Sequence, residues 1–192
     1  MKAEKNRFLF EQNATNTQDG IKSILRKGGF AMPMPAHMEL EGENQGKIEG
    51  SSTQQGREKT ILIEAMNHRV RIPRDLQTGL PTGKRVHEAL TVTKVYDKSS
   101  PKLYQALCTG EHLKDVVIKW YRIDPTGQEE HYFTHTLTDA IIVEIKPWMP
   151  NCLDSATESF SHMEDVSFTY RKIRWTWEAD GIEAEDDWEV PK

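Results

Sequence analysis

The stretch from Arg71 to Gly110, RIPRDLQTGLPTGKRVHEALTVTKVYDKSSPKLYQALCTG, constrains the fold of this chain more than any other. Pro73 ends whatever precedes it, because a proline removes a backbone donor and biases its neighbour away from the α region. Gly79, Pro81 and Gly83 then punctuate a charged segment, which predicts an exposed, structured loop. Leu90-Thr91-Val92-Thr93-Lys94-Val95 follows with the β-branched alternation of a strand. Ser99 or Ser100 is the expected helix N-cap, and Pro101 takes the first helical position, where its missing N–H is no loss. Leu103, Tyr104 and Leu107 line one face of that helix, and Gly110 ends it.

Elsewhere the periodicity is mostly two. His37–Glu41 and Ile61–Ala65 are predicted strands, separated by a Gly/Ser/Gln-rich turn region. Val116–Ile123 and a second arm from Glu130 to about Lys146 form a hairpin around the turn signal Asp124-Pro125-Thr126-Gly127. After a long connection over 147–163, a last strand runs from Val166 to Glu178. Many strands, turn-separated hairpins and one helix predict a mainly β fold, an antiparallel β-barrel with one short packed α-helix.

The last strand changes phase. Val166, Phe168 and Tyr170 share one face, whereas Ile173, Trp175 and Trp177 share the other, with Arg171-Lys172 at the crossover. Either a β-bulge lies there or the strand is covered on both sides for part of its length. A barrel corner accounts for the switch. The sharper expectation is that a neighbouring subunit covers Ile173, Trp175 and Trp177.

Catalytic patterns are weak. His131 and His135 have the i, i+4 spacing that chelates zinc on a helix, but their aromatic and β-branched neighbours predict a strand. Four residues of strand span roughly 13 Å, too far for one metal. Cys108 lies near a predicted helix C-terminus, where the dipole raises a thiol pKa, and no G-x-S-x-G occurs. Gly79-Leu80-Pro81-Thr82-Gly83 is followed by no helix and so is no phosphate cradle. The acidic run Glu178–Glu189 lacks EF-hand spacing and is expected to be a solvated tail, with Trp188 pinning it to the barrel. No enzyme, metal or cofactor is expected.

An ordered series of pieces is more specific. It comprises Thr78-Gly79, Thr82-Gly83-Lys84-Arg85-Val86-His87, Thr93-Lys94, Asp97-Lys98-Ser99-Ser100-Pro101 and Leu103-Tyr104-Gln105-Ala106-Leu107. Gly110-Glu111, Lys119-Trp120-Tyr121-Arg122, Gly127-Gln128-Glu129, Tyr132-Phe133 and Leu137-Thr138-Asp139-Ala140 continue it. In this order and spacing the chain resembles the haemolysin-coregulated (Hcp) family, which builds the inner tube of the bacterial type VI secretion system. The likeness runs roughly from Pro33 to Trp188. It implies the same fold, six subunits closing into a ring, and rings stacking into a tube that carries effectors into target cells. It also implies a sheath and a spike as partners, with the sheath supplying the energy. Heterologous contacts close into rings or run on as filaments according to their rotation. The candidate ring-stacking loop is Arg74, Asp75, Gln77, Thr78, Leu80, Thr82, Lys84 and Arg85, exposed and carrying both charge signs.

A chain of 192 residues, 36% of them hydrophobic, makes one domain or one domain with a short appendage. Residues 1–31 differ from the rest: they are net basic, through Lys2, Lys5, Arg7, Lys22, Arg26 and Lys27, while the whole chain carries −5. Codons for Lys27-Gly28-Gly29 permit a ribosome-binding purine run just before Met32. Residues 1–31 are therefore expected to be leader-derived or a disordered arm, and 32–192 the barrel domain. Two cysteines, Cys108 and Cys152, suit free thiols in a reducing compartment. No apolar run approaches the ~20 residues of a membrane span, and no cleaved signal peptide is visible. The expected itinerary is the bacterial cytoplasm before firing and the exterior afterwards. Acidity argues against nucleic acid as a partner. The alternative from another class is a stand-alone barrel that binds a peptide or small molecule in its mouth.

Overall fold

The computed structural model describes residues 34–154, 157 and 161–189; residues 1–31 lie outside them. Among the described residues the fold is mainly β, with antiparallel strand pairing and one short helix. In chain order the elements are β1 (Ala36–Gly42), β2 (Gly46–Ile48), β3 (Ile61–Ile63), β4 (Ala65–Asn67), β5 (Val70–Arg71), β6 (Val86–His87) and β7 (Leu90–Val95). Then come α1 (Ser100–Thr109), β8 (His112–Ile123), β9 (Glu129–Trp148), β10 (Met163–Trp177) and β11 (Ile182–Asp187). The large sheet runs β2-β1-β8-β9-β10-β7-β4, with β3 also on β1 and β11 also on β10.

Two long strands divide their edges. β10 pairs with β7 through Met163–Phe168 and with β11 through Lys172–Trp177, which leaves a gap at Thr169–Arg171. β1 likewise pairs with β3 through Ala36–Met38 and with β2 through Leu40–Gly42. The phase switch in β10 has no bulge at Arg171-Lys172. Its register against β9 shifts earlier, between Ser167 and Phe168, and stays constant from there to Trp177. Opposite Arg171 stands Asp139, a non-glycine residue at φ 53, which kinks β9 between its two neighbours. Asp139 also reaches both of them, His112 on β8 at 2.6 Å and Arg171 on β10 at 3.7 Å.

Alternation places the core. Leu90 and Val92 of β7 point inward with Met38, Ile61, Val116, Ile118, Leu137, Val166 and Phe168, and Leu103 and Ala106 of α1 complete the cluster. The same alternation carries Lys94 inside, where its side chain is 0% exposed. Its ammonium donates to Glu164 at 2.7 Å, to Ser100 Oγ at 3.1 Å and to the Val95 carbonyl at 2.8 Å, and pairs with Asp97 at 2.9 Å. This network joins β7, β10 and the start of α1. Ser99 is the N-cap residue, but its hydroxyl donates to the Asp97 carboxylate rather than capping the helix. Gly110, at φ 64, closes the helix through N–H groups that reach back to Leu107 and Ala106.

The acidic C-terminal run differs from the solvated tail expected of it. Ile182–Asp187 is β11, held to β10 because its carboxylates meet Lys172, Arg174 and Arg171 across the ladder.

Candidate assembly surface

Between β4 and β7 the chain makes a separate two-stranded arm. Val70 pairs with His87 and Arg71 with Val86, and the Glu88 N–H donates to the Arg69 carbonyl at 2.9 Å. Further out, Thr82 N–H donates to Pro73 O at 2.9 Å, Arg74 bridges Pro81, and Asp75 N–H donates to Leu80 O at 2.9 Å. The turn is built on Asp75. Its carboxylate accepts from the Thr78 N–H at 2.7 Å, the Gln77 N–H at 3.0 Å and the Thr78 hydroxyl at 3.0 Å. These donors, Thr78 first, hold the Asp75 carboxyl below its ordinary range. Gly79 follows at φ 72, a conformation that only glycine adopts without strain. The predicted loop is thus a hydrogen-bonded hairpin with a defined tip.

The root of the arm plugs the gap in β10. Tyr170 Oη lies 2.8 Å from both His68 Nε2 and His87 Nδ1, and His87 Nε2 lies 2.8 Å from Asp186 Oδ2. Arg85 donates to the Asp186 carboxylate and, at 2.7 Å, to the Asp187 carbonyl. Trp175 stacks on His87 at 6.4 Å, and the ring of Trp188, just past β11, lies 5.2 Å from the His87 ring. Burial, and then the neighbouring His87, lowers the His68 pKa, while burial raises that of Tyr170. β6 is therefore tied to β10 and β11 together, so the arm has a fixed base.

Most predicted loop residues lie on the outer part of this arm: Arg74, Gln77, Thr78, Leu80, Thr82 and Lys84 are exposed, and Asp75 is half-buried in its own turn. Arg85 is different. Its guanidinium faces inward onto β11 and braces the arm, so it offers no charge at the tip. Leu76 was not singled out from the sequence, yet it is 92% exposed beside Leu80 at 65%. The signal was present, because apolar residues at 70, 72, 76 and 80 are set among arginines in a segment too polar to be core.

Within the candidate contact strand, Ile173 needs a correction. Ile173 pairs with Leu137 and Leu137 with Val116, and all three are fully buried in this chain's own core. Next in that face come Trp175, His135 and Ile118, and then Trp177, Phe133 and Trp120. Ile173 is therefore core and Trp175 packs against it, so no neighbouring subunit is needed to cover Ile173, whereas Trp177 meets Tyr132 and Arg122. The row does carry chemistry of a kind: Trp120 donates its indole N–H to His135 Nδ1 at 2.9 Å, and burial depresses the His135 pKa to about 4.

Comparison with known proteins bears on the whole domain. The family model described as "Type VI secretion system effector, Hcp" matches residues 37–177. The chain belongs to the Hcp family. A curated relative, the "Major exported protein" of Pseudomonas aeruginosa, is 48% identical over 169 residues, covering 83% of this chain and 98% of its own. A solved structure described as "Crystal structure of Hcp protein" aligns with a TM-score of 0.77 at 38% identity, covering 82% of this chain and 99% of that one. "Secreted protein Hcp3 from Pseudomonas aeruginosa" aligns at 0.67 and 41% identity, covering 81% and 99%. As a Hcp protein the chain is a structural subunit of the type VI secretion tube, exported and not an enzyme. The stand-alone ligand-binding barrel is not favoured. Among the described residues no helix is long and apolar enough to cross a membrane.

Proposed function

We propose that six copies of this chain close into a ring, that rings stack into a tube, and that the arm of residues 69–88 is the ring-to-ring surface. The tube carries effector cargo behind a spike and inside a sheath, and its subunits wait in the bacterial cytoplasm until firing. The observation that carries the reading is the arm itself. It is a hairpin with a hydrogen-bonded tip and an anchored root that holds Leu76 and Leu80 exposed. Exposed large apolar side chains on a braced projection mark a contact surface.

The sheet closes into a barrel through residues 61–67 in this reading. What supports it is that Ile61–Ile63 pairs with β1 while Ala65–Asn67, directly after Glu64, pairs with β7 at the other end of the strand order. A closed sheet leaves fewer open edges to pair at random, which suits a subunit that must assemble in one way only. For residues 1–31 the proposal is a leader-derived segment, with an arm of the native protein as the alternative, and the mass of the native protein's N-terminal peptide decides between them.

Light scattering on the full chain, with negative-stain images of the same fraction, tests the ring. A six-chain mass with annular particles is expected; a clean monomer at micromolar concentration would reject the reading.

A further inference from the structure

Resting on the ring-stacking reading, we infer that the arm tip of one copy, Leu76 with Leu80, seats in an apolar pocket lined by Tyr96, Pro147, Trp148, Met149 and His162 on a second copy of this chain. The pocket has a volume of about 410 Å³ and opens beside Met149, itself 65% exposed.

The placement of knob and pocket supports a head-to-tail contact. The arm enters β7 at Leu90 by way of Glu88, and the pocket begins at Tyr96, directly after β7 ends at Val95. Six residues of strand therefore separate the arm's root from the pocket, roughly 17–20 Å. β10 repeats the order: its Tyr170 holds the arm, while Met163 pairs with both Val95 and Trp148 at the pocket end. A knob rooted at one end of a strand and a socket at the other make a heterologous pair. Such a pair runs on from copy to copy wherever its rotation does not close, which is what stacked rings require.

Charge points to the same occupant. With Arg85 turned inward onto Asp186, the arm still presents Arg69, Arg71, Arg74 and Lys84 against Asp75 and Glu88, on a chain whose net charge is −5. A basic arm on an acidic molecule is complementary to another copy of that molecule. Leucine in a socket of aromatic, proline and methionine side chains supplies the dry centre that such a contact needs.

Cys152, exposed and three residues beyond Met149, provides the test. The full chain bearing Leu76→Cys, in a Cys108→Ser background, is concentrated under a mild thiol oxidant and resolved without reductant. The expected result is a ladder of linked chains whose yield falls about tenfold when Cys152→Ser or Leu80→Asp is added, while light scattering still gives six-chain rings. Met149→Asp should reduce the ladder from the socket side. Rings that form with no Cys152-dependent linkage overturn the contact and leave the ring reading intact. Failure to form six-chain particles rejects the ring reading itself, and the contact with it.

Discussion

Lys94 shows how much a single side chain decides in this fold. Strand alternation sends it into the core, and the ammonium is tolerated there because Glu164, Asp97, Ser100 and the Val95 carbonyl surround it. Breaking a buried ion pair leaves one charge without its partner, at about 3–5 kcal/mol, whereas replacing both partners with apolar groups is often neutral or stabilising. Lys94→Ala should therefore lower unfolding free energy by that amount in urea titrations. Lys94→Met combined with Glu164→Leu should recover most of it. If the double variant were no more stable than the single one, the pair would be setting the start of α1 and not merely neutralising itself. Arg85 has the corresponding role in the arm. Arg85→Ala is expected to speed amide exchange at Val86, His87 and Glu88 while β8 and β9 stay protected, because it ties the arm to Asp186 and Asp187 of β11.

At the scale of elements, β1 and β2 are closed by a residue from outside both. Glu111, just past α1, accepts from the Asn44 and Gln45 N–H groups at 2.8 Å each and from the Gln45 side chain at 2.8 Å. Burial alone would raise this carboxyl, but the Gln45 and Asn44 donors outweigh it and hold the pKa below the usual value. A Cβ at Gly42 would come within 2.3 Å of Glu111 Oε1, so Gly42→Ala should displace that carboxylate and loosen the turn. A thermal melt should show Gly42→Ala and Glu111→Ala each costing about 1–3 kcal/mol, with the double variant far from additive. Elements like β7 and α1 were legible in the sequence because their signals are local: alternation from Leu90 to Val95, and proline and glycine at the helix ends. β11 was not, since a run of carboxylates resembles a solvated tail until Lys172, Arg174 and Arg171 are set opposite it. The phase switch at Ile173 and Trp175 is itself local and legible, but its covering is not, since Leu137 and Val116 come level with Ile173 only through long-range strand pairing. The arm was visible as a loop, but its root was hidden because His68, His87, Tyr170 and Asp186 meet only through long-range folding.

Across the whole molecule, the buried histidines set a pH dependence. Burial lowers the pKa of His135 to about 4, and lowers those of His37 and His68 as well. Between about pH 6.5 and 4 the unfolded chain takes up protons that these folded sites refuse, so stability falls as pH falls through that window. His135 alone accounts for roughly 3 kcal/mol once pH is below about 4, from the gap between its ordinary and folded values. His112 works in the opposite sense: Asp139 raises its pKa, so its contribution is present in acid and lost as pH rises, but the pair is solvent-exposed and screened. The histidine loss should precede that of the carboxylates, since Asp97 and Glu111 have pKa values below normal and yield only in stronger acid. His135→Gln keeps an acceptor for the Trp120 indole while removing the proton site. Its urea midpoint should change less between pH 7 and pH 5 than that of the parent chain. Equal slopes for the two proteins would place the acid sensitivity elsewhere, in the His68–Tyr170–His87 root of the arm, and would then predict that acid frees the arm before it unfolds the sheet.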